Sequence, residues 1–71
     1  MKLFMIINTF DKVYYARCWR RWVSIDGPKE VPVLFATREE ADKFVVSQKY
    51  YEKSDDHWVM AEVIEAEVLP F

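Results

Sequence analysis

The fold is decided by one helix start, which reads Leu34-Phe35-Ala36-Thr37-Arg38-Glu39-Glu40-Ala41-Asp42-Lys43-Phe44-Val45. Thr37 occupies the position of a helix N-cap, and Glu40 follows at the third helical position. This spacing predicts a capping box. In that motif the hydroxyl accepts a hydrogen bond from the Glu40 amide, and the carboxylate accepts one from the Thr37 amide. Acidic side chains in the first turn also complement the positive end of the helix dipole.

Behind this cap, side chains that can pack inward recur at i, i+3, i+4, i+7 and i+10. They are Ala41, Phe44, Val45, Gln48 and Tyr51. Such spacing places them on one face of a helix. We therefore predict a helix from residue 38 to about residue 52.

Strands are predicted before this helix. Residues 3–8 are apolar on both alternating faces, which is typical of a central strand. Residues 13–17 are rich in β-branched and aromatic side chains and should form an antiparallel hairpin with them. Residues 18–24 also fit a helical spacing, but the favoured structure is a turn or bulge near residues 19–21 and a short strand over residues 22–25.

The remaining segments are connections and one last strand. Asp26-Gly27-Pro28 predicts a turn, and Pro32 favours an extended chain before the helix. A polar loop over residues 53–57 should lead into a strand over residues 58–68. Its alternation changes phase at Ile64, which predicts a β-bulge there, and Pro70 should end the strand.

The predicted order of elements is β-β-(β)-α-β, which indicates a single α+β domain over residues 1–71. In this two-layer fold, an antiparallel sheet of three to four strands packs on one helix. One helix cannot cover both faces of the sheet, although residues 3–8 are apolar on both. We therefore expect an apolar or aromatic patch on the open face, of the kind that marks interaction sites.

Composition and targeting features favour a folded cytoplasmic protein. Of the 71 residues, 52 % are hydrophobic and 17 % aromatic, which is too apolar for a disordered chain. Cys18 is the only cysteine, and this favours a reducing compartment, the cytoplasm. The apolar run at the N-terminus is too short for a signal peptide, and no segment is long enough to span a membrane. No membrane partner is expected.

Charge is unevenly distributed along a chain whose formal net charge is −2. Residues 1–25 hold five cations and one acid, a net of +4, whereas residues 26–71 hold five cations and eleven acids, a net of −6. In the simplest interpretation the two halves neutralise each other in the fold. The alternative is two surfaces of opposite sign, one of them for a partner. The acidic total argues against non-specific binding to duplex DNA.

Catalytic and metal-binding patterns are weak. The single glycine excludes a glycine-rich phosphate loop, and one cysteine with one histidine is too few for a zinc site. Asp55-Asp56-His57 is a conceivable metal cluster, but a solvated loop is the simpler interpretation. A nucleophile pair of Cys18 and His57 lacks a third orienting group, and an apolar role for the cysteine is the default.

Three carboxylates near the C-terminus, Glu62, Glu65 and Glu67, allow acid–base chemistry in principle. They alternate along a predicted strand, however, where an outward charged face also blunts edge-to-edge pairing. We therefore expect no enzyme, no catalytic residue, no metal site and no cofactor.

The richest stretch for function is residues 14–22, where aromatic and arginine side chains interleave. The candidate partner-binding residues are Tyr14, Tyr15, Arg17, Trp19, Arg20, Arg21 and Trp22. These residue types dominate protein–protein hot spots, and they also stack single-stranded bases and hold phosphates. In the purely structural alternative, Trp19 or Trp22 fills the core and the arginines pair across the sheet with Glu62, Glu65 or Glu67.

The same chain carries a layout of motifs that resembles a known class. The layout is the segments Phe4-Met5-Ile6-Ile7-Asn8-Thr9, Tyr14-Tyr15-Ala16-Arg17, Trp22-Val23, Leu34-Phe35-Ala36-Thr37-Arg38-Glu39-Glu40-Ala41 and Glu62-Val63-Ile64-Glu65. It resembles small bacteriophage and prophage accessory proteins, in which a short hairpin precedes an F-x-T-x-E-E-A helix start and a final acidic strand.

This resemblance implies a non-enzymatic protein that binds a host protein and blocks it sterically, as anti-defence and anti-CRISPR inhibitors do. It identifies no target and no catalytic residue. Two alternatives stay open. One is a single-stranded nucleic-acid-binding module that uses residues 14–22. The other is a structural homodimer, formed by pairing of open sheet faces, with no other partner.

Overall fold

Four antiparallel strands and one helix form two layers in the computed structural model, which describes residues 2–66. The strands are β1 (Leu3–Asn8), β2 (Val13–Ala16), β3 (Arg21–Ser24) and β4 (Glu62–Ala66), and the helix is α1 (Arg38–Tyr51). The strand order is β3-β2-β1-β4. The predicted α+β class is confirmed. No helix within the described residues has the length and apolarity needed to cross a membrane.

The core lies between the helix and one face of the sheet, the helix face. Its buried members are Ile6 of β1, Tyr15 of β2, Val45 of α1 and Trp58. Successive side chains of a strand alternate between faces. Met5 and Ile7 of β1 therefore point to the opposite face, which α1 does not cover.

The chain before the helix is part of the sheet rather than a free connection. Residues 31–35 run between β1 and β2, where these two strands diverge. The Arg17 amide donates to the Val31 carbonyl at 2.8 Å, and Phe4 and Phe35 exchange two backbone hydrogen bonds of 2.9 and 2.8 Å. The wedge between the strands is thereby filled, and the start of α1 is fixed relative to the sheet.

The helix begins as predicted. The Thr37 hydroxyl oxygen accepts a hydrogen bond of 3.1 Å from the Glu40 amide. The reciprocal bond of the capping box is not formed among residues 2–66. Ala41 and Val45 are buried, but Tyr51 is 75 % exposed. Ten residues at 3.6 per turn end about 80° away from the starting direction, so Tyr51 has rotated off the packed face.

The last strand begins at Glu62 in the structure, later than the predicted start at residue 58. Residues 56–58 form a one-turn 3₁₀ helix, Asp56–Trp58, and β4 begins only at Glu62. Asp55 caps this turn, because its Oδ1 accepts a bond of 3.0 Å from the His57 amide. Burial of Trp58, which is 2 % exposed, stabilises the turn in place of a strand. Residues 67–71, including the predicted strand end, lie outside the described residues.

The predicted β-bulge at Ile64 is wrong. Pairing of β1 with β4 continues without interruption from Leu3↔Ala66 to Ile7↔Glu62. Val63 lies opposite Ile6 on the helix face, and Ile64 lies opposite Met5 on the other face. Two consecutive apolar residues occur because both faces of the sheet are apolar at its centre.

Candidate functional site

The hairpin of β2 and β3 carries all seven predicted partner-binding residues, and the structure separates them into three groups. Tyr15 and Trp22 point to the helix face, and Tyr14 points to the opposite face, as the register Tyr15↔Trp22 and Tyr14↔Val23 requires. The others lie at or beside the turn that joins the strands: Arg17, Trp19, Arg20 and Arg21. The helical alternative for residues 18–24 does not occur, apart from the single 3₁₀ turn Cys18–Arg20.

Tyr15 and Trp22 belong to an aromatic cluster of the core. Their ring centroids are 5.4 Å apart, and they lie 4.9 and 4.8 Å from the ring of Trp58. The indole Nε1 of Trp22 donates to Oδ2 of Asp55 at 3.2 Å. Because the rings pack on one another, they are not arranged as an open stacking platform. This placement agrees with the structural alternative for Trp22.

Tyr14 and Arg21 are both tied to Glu30. The Tyr14 hydroxyl donates to the Glu30 carbonyl at 3.1 Å and accepts from the Glu30 amide at 2.8 Å. Arg21 forms an ion pair of 3.2 Å with the Glu30 carboxylate. Pairing of Arg21 with Glu62 or Glu65, part of the sequence-based alternative, is wrong, and Glu67 lies outside the described residues. β4 lies at the opposite edge of the sheet from β3, with β1 and β2 between them.

The turn itself, residues 17–20, is named the hairpin tip. Trp19 is 86 % exposed there, and the Cys18 side chain is exposed beside it. Trp19 and Arg20 both have left-handed backbone angles, with φ of 63° and 44°. Such angles cost a non-glycine residue about 1–2 kcal/mol each. The hairpin tip therefore presents an apolar ring to solvent on a strained backbone, and strained backbone clusters at functional sites.

A hollow of about 270 Å³ opens beside the hairpin tip and is named the arginine groove. Its lining residues are Arg17, Arg20, Val31, Pro32, Val33 and Leu34. Two arginines thus share the lining of this hollow with four apolar residues. Within the part of the chain that the structure describes, neither Arg17 nor Arg20 has an ion-pair partner.

A second hollow, of about 310 Å³, lies on the other side of Arg20, towards the C-terminal end of α1. It is lined by charges of both signs, including Arg20, Glu52 and Asp55. Burial raises the pKa of the Tyr15 hydroxyl above its ordinary value of 10.0. Arg20 opposes that rise, and Glu52 and Asp55 add to it. Arg20 therefore stands at the boundary between an electropositive groove and a mixed-charge hollow.

One cluster was not anticipated from the sequence. Asn8 is fully buried, and its Nδ2 donates to Asp11 Oδ2 at 2.9 Å and to the His57 carbonyl at 2.8 Å. Its Oδ1 accepts from the Asp11 amide at 2.8 Å, and His57 Nδ1 lies 2.9 Å from Asp11 Oδ2. These contacts join the β1–β2 turn to a turn 49 residues away. Asn8 and Asp11 suggest a local turn in the sequence, but nothing there indicates the partner across the fold.

The catalytic and metal alternatives receive no support from these positions. His57 is bonded to Asp11 before β2, whereas Cys18 lies in the hairpin tip after β2, so the strand separates them. Across residues 2–66, no cluster of three His, Cys, Asp or Glu side chains is arranged to hold a metal ion. Glu62 and Glu65 point to opposite faces of β4, because they lie three residues apart on a regular strand.

The open face of the sheet is apolar but only partly accessible. Leu3, Met5, Ile7 and Ile64 are half-buried on it, and no helix within residues 2–66 covers them. At the β2 end of this face, Tyr14 is in contact with Glu30. The predicted patch therefore exists at the β1–β4 end, but its side chains protrude far less than Trp19 does.

Comparisons with known proteins gave no match for this chain: no protein-family model, no curated protein sequence and no solved structure matches it.

Proposed function

We propose that the protein is a small, non-enzymatic binding module that attaches to another protein through the hairpin tip. The proposed partner is a bacterial host protein, which the module blocks sterically in the manner of a phage accessory protein. The observation that carries this proposal is the 86 % exposure of Trp19 on a backbone with φ of 63°. Neither the exposure nor the strain improves the stability of the isolated chain.

The energetics of a buried tryptophan fit an anchor for a partner. A tryptophan buries about 150–250 Å² when it enters an interface, which corresponds to roughly 4–6 kcal/mol at about 25 cal/mol per Å². Hot-spot residues typically contribute at least about 2 kcal/mol, and Trp and Arg are the residue types most enriched among them. Trp19 is flanked by Arg17 and Arg20, so the hairpin tip has the composition of a hot spot.

The position of the other aromatic residues favours a protein over a single-stranded nucleic acid. Base stacking along a strand needs successive accessible rings. Tyr15 is only 8 % exposed, and Trp22 packs against Tyr15 and Trp58. One ring, that of Trp19, remains at the hairpin tip, which suits a single anchor in a protein pocket.

Affinity capture from a bacterial lysate tests the proposal, with variants matched by residue class. Trp19→Ala should reduce recovery of the captured protein at least about tenfold, because one anchor contributes 1.4 kcal/mol or more. Phe10→Ala is the matched control. Phe10 is 77 % exposed but lies in the β1–β2 turn, at the opposite end of β2, and its removal should leave recovery unchanged.

Urea unfolding of both variants checks that the comparison reports binding. Trp19 makes no core contact, so Trp19→Ala should keep the free energy of unfolding within about 0.5 kcal/mol of the parent. Equal recovery of every captured protein by the parent, Trp19→Ala and Phe10→Ala would overturn the proposal.

A further inference from the structure

We propose that the arginine groove receives an acidic side chain of the partner protein, together with an adjacent apolar side chain that packs on its floor. This inference rests on the proposed function and specifies the chemistry that the partner must offer. The segment bound is therefore one in which a Glu or Asp neighbours a Leu, Ile or similar residue.

Charge complementarity supplies the first argument. Arg17 and Arg20 line the groove, and no carboxylate does. Arg21, the third arginine of this region, is already paired with Glu30 at 3.2 Å. A guanidinium presents donors in a planar fork that matches a carboxylate, and such charge-assisted bonds are stronger than neutral ones. Two such groups without a partner among residues 2–66 define a site for one external carboxylate.

The groove floor supplies the second argument. Its apolar residues belong to residues 31–35, which are held in the sheet. The Arg17 amide donates to the Val31 carbonyl at 2.8 Å, and the Val33 amide donates to the Tyr15 carbonyl at 3.0 Å. Pro32 has no amide hydrogen to satisfy. The floor is therefore fixed in position before binding, which reduces the ordering cost when an apolar side chain packs on it.

The size of the groove fits protein side chains. Pockets for small molecules typically enclose about 300–1,000 Å³ and bury most of the ligand. The arginine groove measures about 270 Å³. It suits one or two protein side chains that enter from a larger surface.

Charge distribution also favours a carboxylate over the phosphates of a nucleic acid. Phosphate backbones are bound by rows of cations, each neutralising one charge. Here two arginines line the groove, Glu52 and Asp55 lie on the other side of Arg20, and the whole chain has a formal net charge of −2. A polyanion extending past the groove would meet repulsion, whereas a single acidic side chain would not.

Titration with two short peptides tests the groove directly. The probe has the sequence Gly-Glu-Leu-Glu-Gly, and its matched control, Gly-Gln-Leu-Gln-Gly, has the same shape without the charges. Nuclear magnetic resonance of the full chain should show saturable shifts of the guanidinium signals of Arg17 and Arg20 with the acidic probe. The amide control should bind at least about tenfold more weakly, since it lacks the charge-assisted bonds.

Single substitutions test whether the acidic probe binds in the arginine groove. Arg17→Gln and Arg20→Gln should each weaken the acidic probe about tenfold, while Lys49→Gln, which removes one exposed positive charge on α1, should not. Equal binding of the two peptides, or equal loss with Lys49→Gln, would overturn the inference. Tighter binding of a ten-residue oligothymidylate than of the acidic peptide, at the same ionic strength and on the same arginine signals, would assign the groove to phosphate and also overturn it.

The two proposals fail in different ways. If capture of a partner requires Trp19 but is unchanged by Arg17→Gln and Arg20→Gln, the proposed function stands and the groove assignment is wrong. If the acidic peptide binds the groove but no captured protein depends on Trp19, the groove assignment stands and the proposed function is wrong.

Discussion

Replacement of Asn8 by alanine should be among the most damaging single substitutions in this chain. Asn8 is fully buried and makes three hydrogen bonds, two to Asp11 and one to the His57 carbonyl. Alanine removes all three and leaves buried polar groups without their partner. At about 1 kcal/mol net for each bond, the expected loss is about 3 kcal/mol.

That loss is large relative to the whole domain. A folded chain of this length has a free energy of unfolding of about 4–11 kcal/mol, from roughly 0.05–0.15 kcal/mol per residue. For a domain of this size, each 1 kcal/mol lowers the melting temperature by about 4–8 °C. Thermal unfolding followed by tryptophan fluorescence should therefore show a decrease of about 12–24 °C for Asn8→Ala.

A second variant separates hydrogen bonding from packing. Asn8→Asp keeps the shape of the side chain but replaces the Nδ2 donor by an oxygen, which faces the Asp11 carboxylate and the His57 carbonyl. We expect it to destabilise the fold at least as much as alanine does, because like charges then meet in a buried site. Phe10→Ala, two residues away and exposed, should change the melting temperature by less than about 4 °C. A loss that small for Asn8→Ala, or a harmless Asn8→Asp, would refute the reasoning.

Three further predictions concern stability. Thr37→Ala should lower the free energy of unfolding by about 1 kcal/mol, measured by urea unfolding, because the Glu40 amide loses its cap; Thr37→Ser should retain most of it, and an equal loss in both would contradict the role of the hydroxyl. Trp22→Phe should cost about 2–3 kcal/mol in the same assay, since the bond to the Asp55 carboxylate and part of the aromatic packing are lost; a cost below about 0.5 kcal/mol would contradict it. The pKa of Tyr15 is raised in the folded chain, so this residue supports stability below pH 10, where both states are protonated, and that contribution is lost as the pH rises through the folded-state value. The urea midpoint should therefore fall less steeply above pH 10 in Tyr15→Phe than in the exposed control Tyr50→Phe, and identical slopes would contradict this.

Local patterns in the sequence predicted most of the secondary structure. The Thr37 cap and the spacing of Ala41 and Val45 identified the helix, because capping and burial both act within a few residues of the chain. Residues 3–8 are apolar on both alternating faces, and this pattern indicated a central strand, because a strand inside a sheet can have both of its faces covered.

The errors arose where distant parts of the chain decide local structure. The sequence pattern places Trp58 at the start of a strand. In the structure Trp58 belongs to a 3₁₀ turn, because its ring packs against Tyr15 and Trp22 in the core. The apparent phase change at Ile64 reflects a sheet that is apolar on both faces, not a bulge.

The candidate site was predicted only in part, for the same reason. The sequence pointed to residues 14–22 as a unit, but strand register sends Tyr15 and Trp22 into the core and leaves Trp19 at the hairpin tip. The arginine groove was not predictable, because its floor is formed by residues 31–34, which meet Arg17 only through tertiary hydrogen bonding.

Contact between Trp19 and the partner protein is tested most directly by photo-crosslinking. A benzophenone amino acid would replace Trp19 in one sample and Phe10 in another, and each sample would be irradiated in bacterial lysate. We predict a covalent adduct with one host protein from position 19 and none from position 10. An adduct of the same protein from position 10 only, or capture of a partner with no adduct from position 19, would contradict binding through the hairpin tip.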